Sequence, residues 1–264
     1  MINIAIYCVT YNSYNAAMNY LSSIDKILDE SQPALTVFLA DNTTNNPIEI
    51  KYKTEKFKLF VYKFNNIGYF GAIRKMMKTN DPKLFDYSII SNVDLYFKEN
   101  IFKTLKEITL SKNIGWIAPQ IFSLKEKRDL NPAIINRYSL FKLKILKFLY
   151  KHPSILQFYK NVLYRNKNCH FVSCHSTYIY AGHGSFMILT KEFFKRCGII
   201  NYPVFLYDEE LYLGEECKRK GLKVIYIPSM RVFDSENVST SKLSSSFYCK
   251  CNIEGLTYII KKYY

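Results

Sequence analysis

The chain has 264 residues, 48% of them hydrophobic, and includes 23 tyrosines and 19 phenylalanines. This length and apolar content exclude wholesale disorder and fit one large domain with a sizeable core. The 37 basic residues outnumber the 22 acidic ones and leave a formal net charge of +15. Such an excess indicates an anionic partner: nucleic acid, a phosphorylated ligand or an acidic membrane.

The N-terminal sequence MINIAIYCVTYN contains neither a basic leader nor a small-residue cleavage site, so we expect no signal peptide. No apolar run approaches the roughly 18 to 20 residues that span a bilayer. We therefore expect a cytoplasmic protein whose seven cysteines are reduced. The segment CHFVSCH (169–175), taken with Cys249 and Cys251, matches no common zinc spacing, and buried or idle thiols are the favoured interpretation.

In the first 122 residues, predicted strands alternate with predicted helices. The predicted strands are INIAIYCVTYN, ALTVFLADN, FKLFVYKFNN, FDYSIISNVD and IGWIAPQIF. The predicted helices are a stretch from about Ser13 to Leu28, GYFGAIRKMMKT and IFKTLKEITL. This alternation predicts an α/β fold with a doubly wound, mostly parallel sheet.

Ligands bind such sheets at the carboxyl ends of the strands. Polar residues gather at those predicted ends: Thr10, Asn12, Asp41, Asn42, Asn66, Asn92 and Asp94. Two glycines, Gly68 and Gly71, precede or open a predicted helix, where the backbone N–H groups could approach a phosphate closely.

Residues 123–177 break the alternation and form a basic insertion. Its sequence RYSLFKLKILKFLYKHPSILQFYKNVLYRNK is helix-like, with Pro153 as an expected interruption. Lys144, Lys147 and Lys151 stand at i, i+3 and i+7, one stripe of a helix. Two interpretations stay open: an amphipathic helix packed on its own domain with a solvated lysine face, or an interfacial helix that binds anionic lipid.

Residues 178–264 complete what we interpret as a single domain. The segment YIYAGHGSFMILTKEFF predicts a strand and a short helix, and FLYDEELYLGEE predicts an acidic turn that leads into a helix closed by Gly221. A strand and a polar segment to Lys242 follow. If Asp208, Glu209 and Glu210 are held in a cleft they raise one another's pKa, which suits a general base. An acidic helix N-terminus stabilised by the helix dipole is the alternative.

Taken in order, these motifs resemble the family 2 glycosyltransferases. They are Thr-Tyr-Asn, Asp-Asn, Asn-x-Gly-x-x-Gly, Asn-x-Asp, Gly-x-Gly-Ser-Phe-Met and Phe-Leu-Tyr-x-Glu-Glu. More narrowly, they are similar to a bacterial rhamnosyltransferase-like branch that builds surface polysaccharides. The resemblance covers residues 3–122 and 178–242, but not the basic insertion. It implies an A-type glycosyltransferase fold and a sugar-nucleotide donor.

The resemblance also implies which residues contact the donor. Thr10 and Asn12 would line the nucleotide pocket, and Asp41 would read the uracil or thymine edge. Asn66, Gly68 and Gly71 would lie beside the ribose and phosphate. Arg74 stands where relatives often have asparagine, which would let it contact phosphate directly.

The resemblance further implies a metal site and a catalytic base. Asn92-Val93-Asp94 stands at the Asp-x-Asp-type motif, with Asn92 toward the substrate and Asp94 as a ligand of Mn²⁺ or Mg²⁺. Asp234 falls where many relatives carry a histidine ligand, and its carboxylate suits either ion.

Glu209-Glu210 stands at the family's Glu-Asp pair, whose second member is the base, with Asp208 as a substrate-side neighbour. His183 is interpreted as a packed or acceptor-side residue, not as a metal ligand.

The implied function is inverting, metal-dependent transfer of a hexosyl or deoxyhexosyl group. The donor would be a UDP- or dTDP-sugar, and the acceptor a polyprenyl-linked saccharide of O-antigen or capsule synthesis. The enzyme would be cytoplasmic and peripheral, bound to the anionic inner face of the plasma membrane.

Two alternatives stay open. A nucleotidyltransferase of similar fold would more often begin with a Gly-rich, Arg- and Lys-bearing loop, which VTYNSYNAA is not. A basic nucleic-acid-binding protein would explain the charge. The chain has no helix-turn-helix, zinc-finger or RNA-recognition signature, and we expect no nucleic-acid partner.

Overall fold

The structure is a computed structural model that describes residues 2–29, 33–159, 175–235 and 244–264. The strands of these residues are β1 (Asn3–Thr10), β2 (Ala34–Asp41), β3 (Lys58–Lys63), β4 (Tyr87–Asn92), β5 (Leu95–Tyr96), β6 (Ile114–Ser123), β7 (Arg128–Asp129), β8 (Thr177–Ile179), β9 (Phe186–Thr190) and β10 (Lys223–Asp234). The helices are α1 (Tyr14–Ile27), α2 (Tyr69–Thr79), α3 (Ile101–Glu107), α4 (Leu140–Lys151), α5 (Pro153–Tyr159), α6 (Lys191–Cys197), α7 (Glu209–Arg219) and α8 (Ser245–Tyr263), with a short 3-10 turn at Pro82–Leu84.

Within the described ranges all ten strands belong to one sheet. Its main order is β3-β2-β1-β4-β9-β6-β10-β5, and β7 and β8 pair with β6 and β10. The neighbours β3, β2, β1 and β4 run parallel, as do β6 and β10, whereas β9 is antiparallel to both β4 and β6. The mostly parallel α/β sheet predicted from the sequence is confirmed.

Helices cover both faces of this sheet, because side chains of a strand alternate between its two faces. In β1, Ala5 and Tyr7 pack in the hydrophobic cluster that contains the buried side of α2. Ile4 and Ile6 point the other way, into the cluster that contains the buried sides of α1 and α3. The sheet is therefore doubly wound.

The strand that precedes Asp94 is buried because it lies in the middle of the sheet. β4 pairs with β1 on one side and with β9 on the other. Ile89 and Ile90 are fully buried, and the strand ends at Asn92. Because β9 belongs to the C-terminal section of the chain, that section completes the same sheet as residues 1–122.

In the described part of the basic insertion, residues 140–151 and 153–159 are helical, and Pro153 is the first residue of α5, where the missing N–H costs no helical hydrogen bond. α4 packs against α8, and Leu149 and Leu156 form a small cluster with Cys249. Cys249 and Cys251 are buried free thiols, whereas Cys169 and Cys174 lie outside the described residues. In the part of the chain that the structure describes, no helix has the length and apolarity needed to cross a membrane.

Candidate active site

The carboxyl ends of β1 and β2 lie side by side, because the parallel register pairs Thr10 with Asp41. Both side chains are buried. They line a cavity of about 230 Å³ together with Asn12 and with residues of the β2–β3 connection. One of these, Thr43, donates its backbone N–H to Asp41 Oδ1 (2.9 Å) and accepts the Asn12 N–H at Oγ1 (2.9 Å). A larger, more open cavity of about 510 Å³ along residues 52–59 contains no predicted site residue.

Gly68 joins this edge of the sheet to the loop that precedes α7. Its φ of 80° and ψ of 178° are nearly exclusive to glycine. A Cβ at this position would lie 2.2 Å from the carbonyl oxygen of Phe205, which accepts the N–H of Tyr69 (3.1 Å). Gly68 is therefore needed for a close backbone approach between these two segments. A Cβ at Gly71 would make only an ordinary contact, 3.6 Å from Ile67.

The other residues that were predicted to contact the sugar-nucleotide donor lie around the same junction. Asn66 Oδ1 accepts the Gly68 N–H at 3.4 Å, and Asn42 Nδ2 donates to the Gly68 carbonyl (3.2 Å). The Arg74 guanidinium donates to Asn201 Oδ1 (2.9 Å), so it ties α2 to the loop before α7. Contact between Arg74 and a donor phosphate stays a prediction.

Asp94 and Asp234 come together although 140 positions separate them in the sequence (234 − 94). Asp94 follows β4 in a tight turn, and Leu95 of β5 pairs with Asp234 at the end of β10. Ser235 donates both its N–H (3.2 Å) and its hydroxyl (2.6 Å) to the Asp94 carbonyl. The same edge includes Asn92, whose N–H donates to the Ser185 carbonyl (2.8 Å) in the β8–β9 loop.

Carboxylate oxygens such as those of Asp94 and Asp234 are the ligand type that a hard divalent cation prefers. Among the described residues, no group of three or more His, Cys, Asp or Glu side chains is placed to hold a metal. Mg²⁺, however, is commonly bound by one or two protein carboxylates plus the phosphates of the substrate. Asp94 and Asp234 as the two oxygen ligands of such a site stay a prediction. His183 Nδ1 lies 2.8 Å from Ser185 Oγ.

The acidic turn before α7 has a strained backbone. Tyr207 (φ 73°) and Asp208 (φ 62°) are consecutive non-glycine residues in the left-handed region, which costs on the order of 1–3 kcal/mol for each. Two hydrogen bonds hold the turn: the Tyr202 hydroxyl donates to the Tyr207 carbonyl (2.9 Å), and the Tyr207 N–H donates to Glu209 Oε1 (3.0 Å). Strain of this kind concentrates at functional sites.

The three carboxylates of the turn have different surroundings. Asp208 lies against α8, where a Cβ at Gly255 would come within 2.3 Å of Asp208 Oδ2. Glu209 is buried beneath the turn that it helps to hold. Glu210 is half-buried and extends toward the β8–β9 loop, where a Cβ at Gly184 would lie 3.2 Å from Glu210 Oε2. Because the same loop contacts Asn92, Glu210 is the member of the three that faces the carboxyl edge of the sheet.

Burial is the main cause of the pKa shifts in this turn. It raises the pKa of Glu209 to about 8, with a further contribution from the charge of Glu210. Burial also raises the pKa of Glu210, and that of Asp208 well above its ordinary value, the latter helped by the charges of Glu210 and Glu209. Carboxylates with raised pKa values are suited to take up a proton near neutral pH.

Several buried polar atoms around the site have no hydrogen-bond partner among the described residues. They are Thr10 Oγ1, Asn42 Oδ1, Tyr69 Oη and Asp208 Oδ2. Buried polar groups are normally satisfied, so such a group suggests a ligand or water that completes the site.

Comparison with known proteins supports the same fold. No protein-family model matches the chain, and no curated protein sequence does. A crystal structure of GalNAc-T7 with UDP, GalNAc and Mn²⁺ is similar with a TM-score of 0.62 at 12% identity, over 99% of this chain and 48% of that one. Staphylococcus aureus TarS gives 0.57 at 12% identity, over 97% of this chain and 43% of that one. A TarS structure of residues 1–349 gives 0.53 at 10% identity, over 98% and 71%.

These neighbours are glycosyltransferases of the A-type fold. The chain has the A-type glycosyltransferase fold. It spans less than half the length of the first two neighbours. The rhamnosyltransferase-like branch stays a prediction, since identities of 10–12% establish the fold alone.

Several residues that shape the site in this A-type glycosyltransferase fold were not predicted from the sequence. They are Thr43, Ser235, Tyr202 and Gly255. Thr43 was detectable, because a threonine two positions after a strand-end aspartate commonly closes a side-chain turn. No short sequence pattern predicts Tyr202, Gly255 or Ser235, because the fold brings their partners to them.

Proposed function

We propose that this protein is an inverting glycosyltransferase that uses a UDP- or dTDP-sugar and a divalent cation. The observation that carries this proposal is the placement of the Asp94–Asp234 pair at the carboxyl edge of the sheet, with Glu210 facing that edge from the acidic turn. One side of the site is thus suited to hold an anionic leaving group, and the other to accept a proton.

The cavity at the ends of β1 and β2 is proposed to bind the nucleoside. Asp41 would accept a hydrogen bond from the N–H edge of uracil or thymine, and the Thr43 N–H already fixes the orientation of its carboxylate. Thr10 and Asn12 line the same cavity. A UDP donor gains support from the similarity in fold to GalNAc-T7, whose structure contains UDP and Mn²⁺.

Asp94 and Asp234 would hold Mn²⁺ or Mg²⁺ against the donor diphosphate. The ion, when bound, offsets the negative charge that develops on the departing diphosphate. Asp94 in the turn before β5 and Asp234 at the end of β10 are held next to each other by the pairing of β5 with β10. Such preorganisation stabilises the transition state.

Glu210 is proposed as the general base. It takes the proton of the acceptor hydroxyl while that oxygen forms a bond to C1 of the sugar. The bond from C1 to the phosphate oxygen breaks on the opposite side, and its electron pair leaves with the diphosphate. One in-line displacement inverts the anomeric carbon. Glu209 and Asp208 would position Glu210 and the substrate through the turn.

The acceptor is proposed to be a polyprenyl-linked saccharide of a bacterial surface polysaccharide, such as O-antigen or capsule. The protein would then work at the cytoplasmic face of the plasma membrane as a peripheral protein. The net charge of +15 supports an anionic membrane, and no Asp or Glu occurs between Asp129 and Glu192.

Thermal shift with nucleotides tests this proposal. We expect UDP or dTDP to raise the Tm in the presence of Mn²⁺, by an amount that reflects about 2.7 kcal/mol at a hundredfold excess over Kd. EDTA should remove this gain. Asp94→Asn keeps the shape but removes one charge, and it should lose the metal-dependent gain while unfolding cooperatively. Glu107→Gln, an exposed carboxylate on α3, is the matched control.

Sugar-nucleotide hydrolysis or transfer across a donor panel then identifies the sugar. Stabilisation by oligonucleotides and not by nucleotides would favour a nucleic-acid-binding protein. Release of pyrophosphate from a nucleoside triphosphate and a sugar phosphate would favour a nucleotidyltransferase. Either result contradicts the proposal.

A further inference from the structure

One face of α4 and α5 exposes a row of large apolar side chains. Phe141, Ile145 and Phe148 stand at i, i+4 and i+7 on α4, and Ile155 and Phe158 stand at i and i+3 on α5. Their exposed fractions lie between 42% and 73%. The opposite face already has its partner, because Leu143, Leu149 and Leu156 are buried in the protein. The row is therefore not the packing face of these helices.

Lysines flank this row. Lys144 and Lys151 are exposed and Lys147 is half-buried, all on α4. The chain between Asp129 and Glu192 contains no acidic residue that could neutralise them locally. An apolar centre with basic flanks is the pattern of a helix that lies in the interface of an anionic membrane. A protein partner with an acidic surface would pair with the lysines but would leave the phenylalanines without a reason to be exposed.

The same helices stand next to the acidic turn. Tyr150 of α4 contacts Tyr248 of α8, with ring centres 5.7 Å apart and hydroxyls 3.3 Å apart. Tyr248 in turn packs on Tyr207, with ring centres 5.0 Å apart. Three tyrosines thus connect the exposed row to the residue beside Asp208. An acceptor whose lipid lies in a membrane under α4 and α5 would present its sugar close to Glu210.

We propose that α4 and α5 form a membrane-binding face on which the protein sits at an anionic bilayer. Phe141, Ile145, Phe148, Ile155 and Phe158 enter the boundary between headgroups and acyl chains. Lys144, Lys147 and Lys151 contact anionic headgroups. This inference rests on the membrane location within the proposed function, but it concerns binding to lipid and not the transfer of a sugar.

Vesicle cosedimentation of the full chain tests this face. The probes are vesicles of phosphatidylcholine with and without phosphatidylglycerol. We expect binding to the vesicles that contain phosphatidylglycerol, weakened in high salt as surface charges are screened. Phe141→Ser combined with Phe148→Ser should weaken binding by about a hundredfold or more, from lost apolar burial. Lys144→Glu combined with Lys151→Glu should weaken it by at least about thirtyfold, from the charge effect at the membrane surface.

Control variants make an apolar-to-serine change and a double lysine-to-glutamate change elsewhere on the surface. Leu84→Ser alters an apolar side chain that is 69% exposed in the 3-10 turn. Lys83→Glu with Lys103→Glu makes the same charge change away from α4. Both controls should bind vesicles like the parent. Equal loss in the control lysine pair would show that net charge alone drives binding, and it would overturn this face.

Other occupants of the row give other results, each of which overturns the proposal. If residues 160–174 cover it, the phenylalanine variant loses several degrees of Tm without lipid. If a second copy covers it, the parent is a dimer and the variant a monomer in sedimentation. Nucleotide-dependent thermal shifts measured on the same variants separate the two proposals. A nucleotide-dependent rise in Tm without vesicle binding by the parent overturns only the proposed membrane face. Vesicle binding without such a rise in Tm overturns only the proposed transferase function.

Discussion

The strand-end side of the site and the acidic turn position their polar groups in different ways. Thr10 and Asp41 are placed by the register of two parallel strands, and short local hydrogen bonds hold the loop beyond them. The acidic turn instead has two consecutive left-handed residues, held by Tyr202 and backed by Gly255 of α8. A site residue on a strand end thus depends on the sheet. One on the turn depends on contacts with distant parts of the chain.

The largest effect is expected from the variant that tests Glu210 of the acidic turn as the general base. Glu210→Gln is nearly isosteric and removes only the ability to take a proton. We expect kcat to fall by about a hundredfold to ten-thousandfold with donor affinity near normal, because a general base acts on the chemical step. Steady-state kinetics with the donor found in the panel measure this. Asp208→Asn should have the smallest effect of the three carboxylates. A near-parental kcat for Glu210→Gln, with loss in Glu209→Gln, would show that the base has been misplaced.

A second test asks whether the close approach of Gly68 to Phe205, where the two sides of the site meet, stabilises the fold. Gly68→Ala would force a Cβ to within 2.2 Å of the Phe205 carbonyl oxygen at a backbone conformation nearly exclusive to glycine. We expect the free energy of unfolding to fall by at least about 2 kcal/mol.

Gly71→Ala is the matched control in the first turns of α2. It has room for a methyl group and should be neutral or stabilising by up to about 1 kcal/mol. Urea unfolding measures both variants. If Gly68→Ala is as stable as Gly71→Ala, the close approach of the two segments is not a requirement of the fold.

The smallest expected effect concerns the charge buried under the turn. The pKa of Glu209 is raised from about 4.5 to about 8 in the folded protein, mainly by burial. A raised pKa means that the folded state holds the proton more tightly than the unfolded state. Its contribution to stability is therefore complete below about pH 4.5 and is lost as the pH rises toward 8. Glu209→Gln, which stays neutral, should flatten this dependence.

Melting temperatures at pH 5 and pH 8 measure the effect. We expect the parent to lose several degrees more than Glu209→Gln over this interval, since about 1 kcal/mol corresponds to a few degrees in a chain of this size. Glu254→Gln on the exposed side of α8 should behave like the parent. If the parent and Glu209→Gln have identical pH dependence, ionisation of Glu209 does not destabilise the folded protein.

The same contrast explains what the sequence could predict. The strands of the strand-end side were predicted because apolar runs end in polar residues at regular intervals. Helix α1 was predicted from about Ser13 to Leu28 and spans Tyr14–Ile27. The register that places Thr10 beside Asp41 then followed from parallel pairing alone.

The support behind the turn could not be predicted in this way. No helix was predicted over α8, whose buried side includes Cys249, Cys251, Asn252 and Gly255 and so lacks a clear apolar period. The contact of Gly255 with Asp208 spans 47 positions (255 − 208), and no local pattern specifies it. The exposed row on α4 was left undecided, because the periodic lysines fitted both a solvated lysine face with a buried apolar side and an interfacial helix.

The position of β9 between β4 and β6 has a consequence for how the protein is made. Ser88 pairs with Leu189, 101 positions later in the chain (189 − 88). A ribosome adds roughly 5–20 residues per second, so β4 waits on the order of 5–20 s for its second neighbour. During that interval its edge can pair with strands of other chains. Heterologous expression should therefore gain more soluble protein from added chaperones, which cover the waiting strand edge, than from any change to the finished surface.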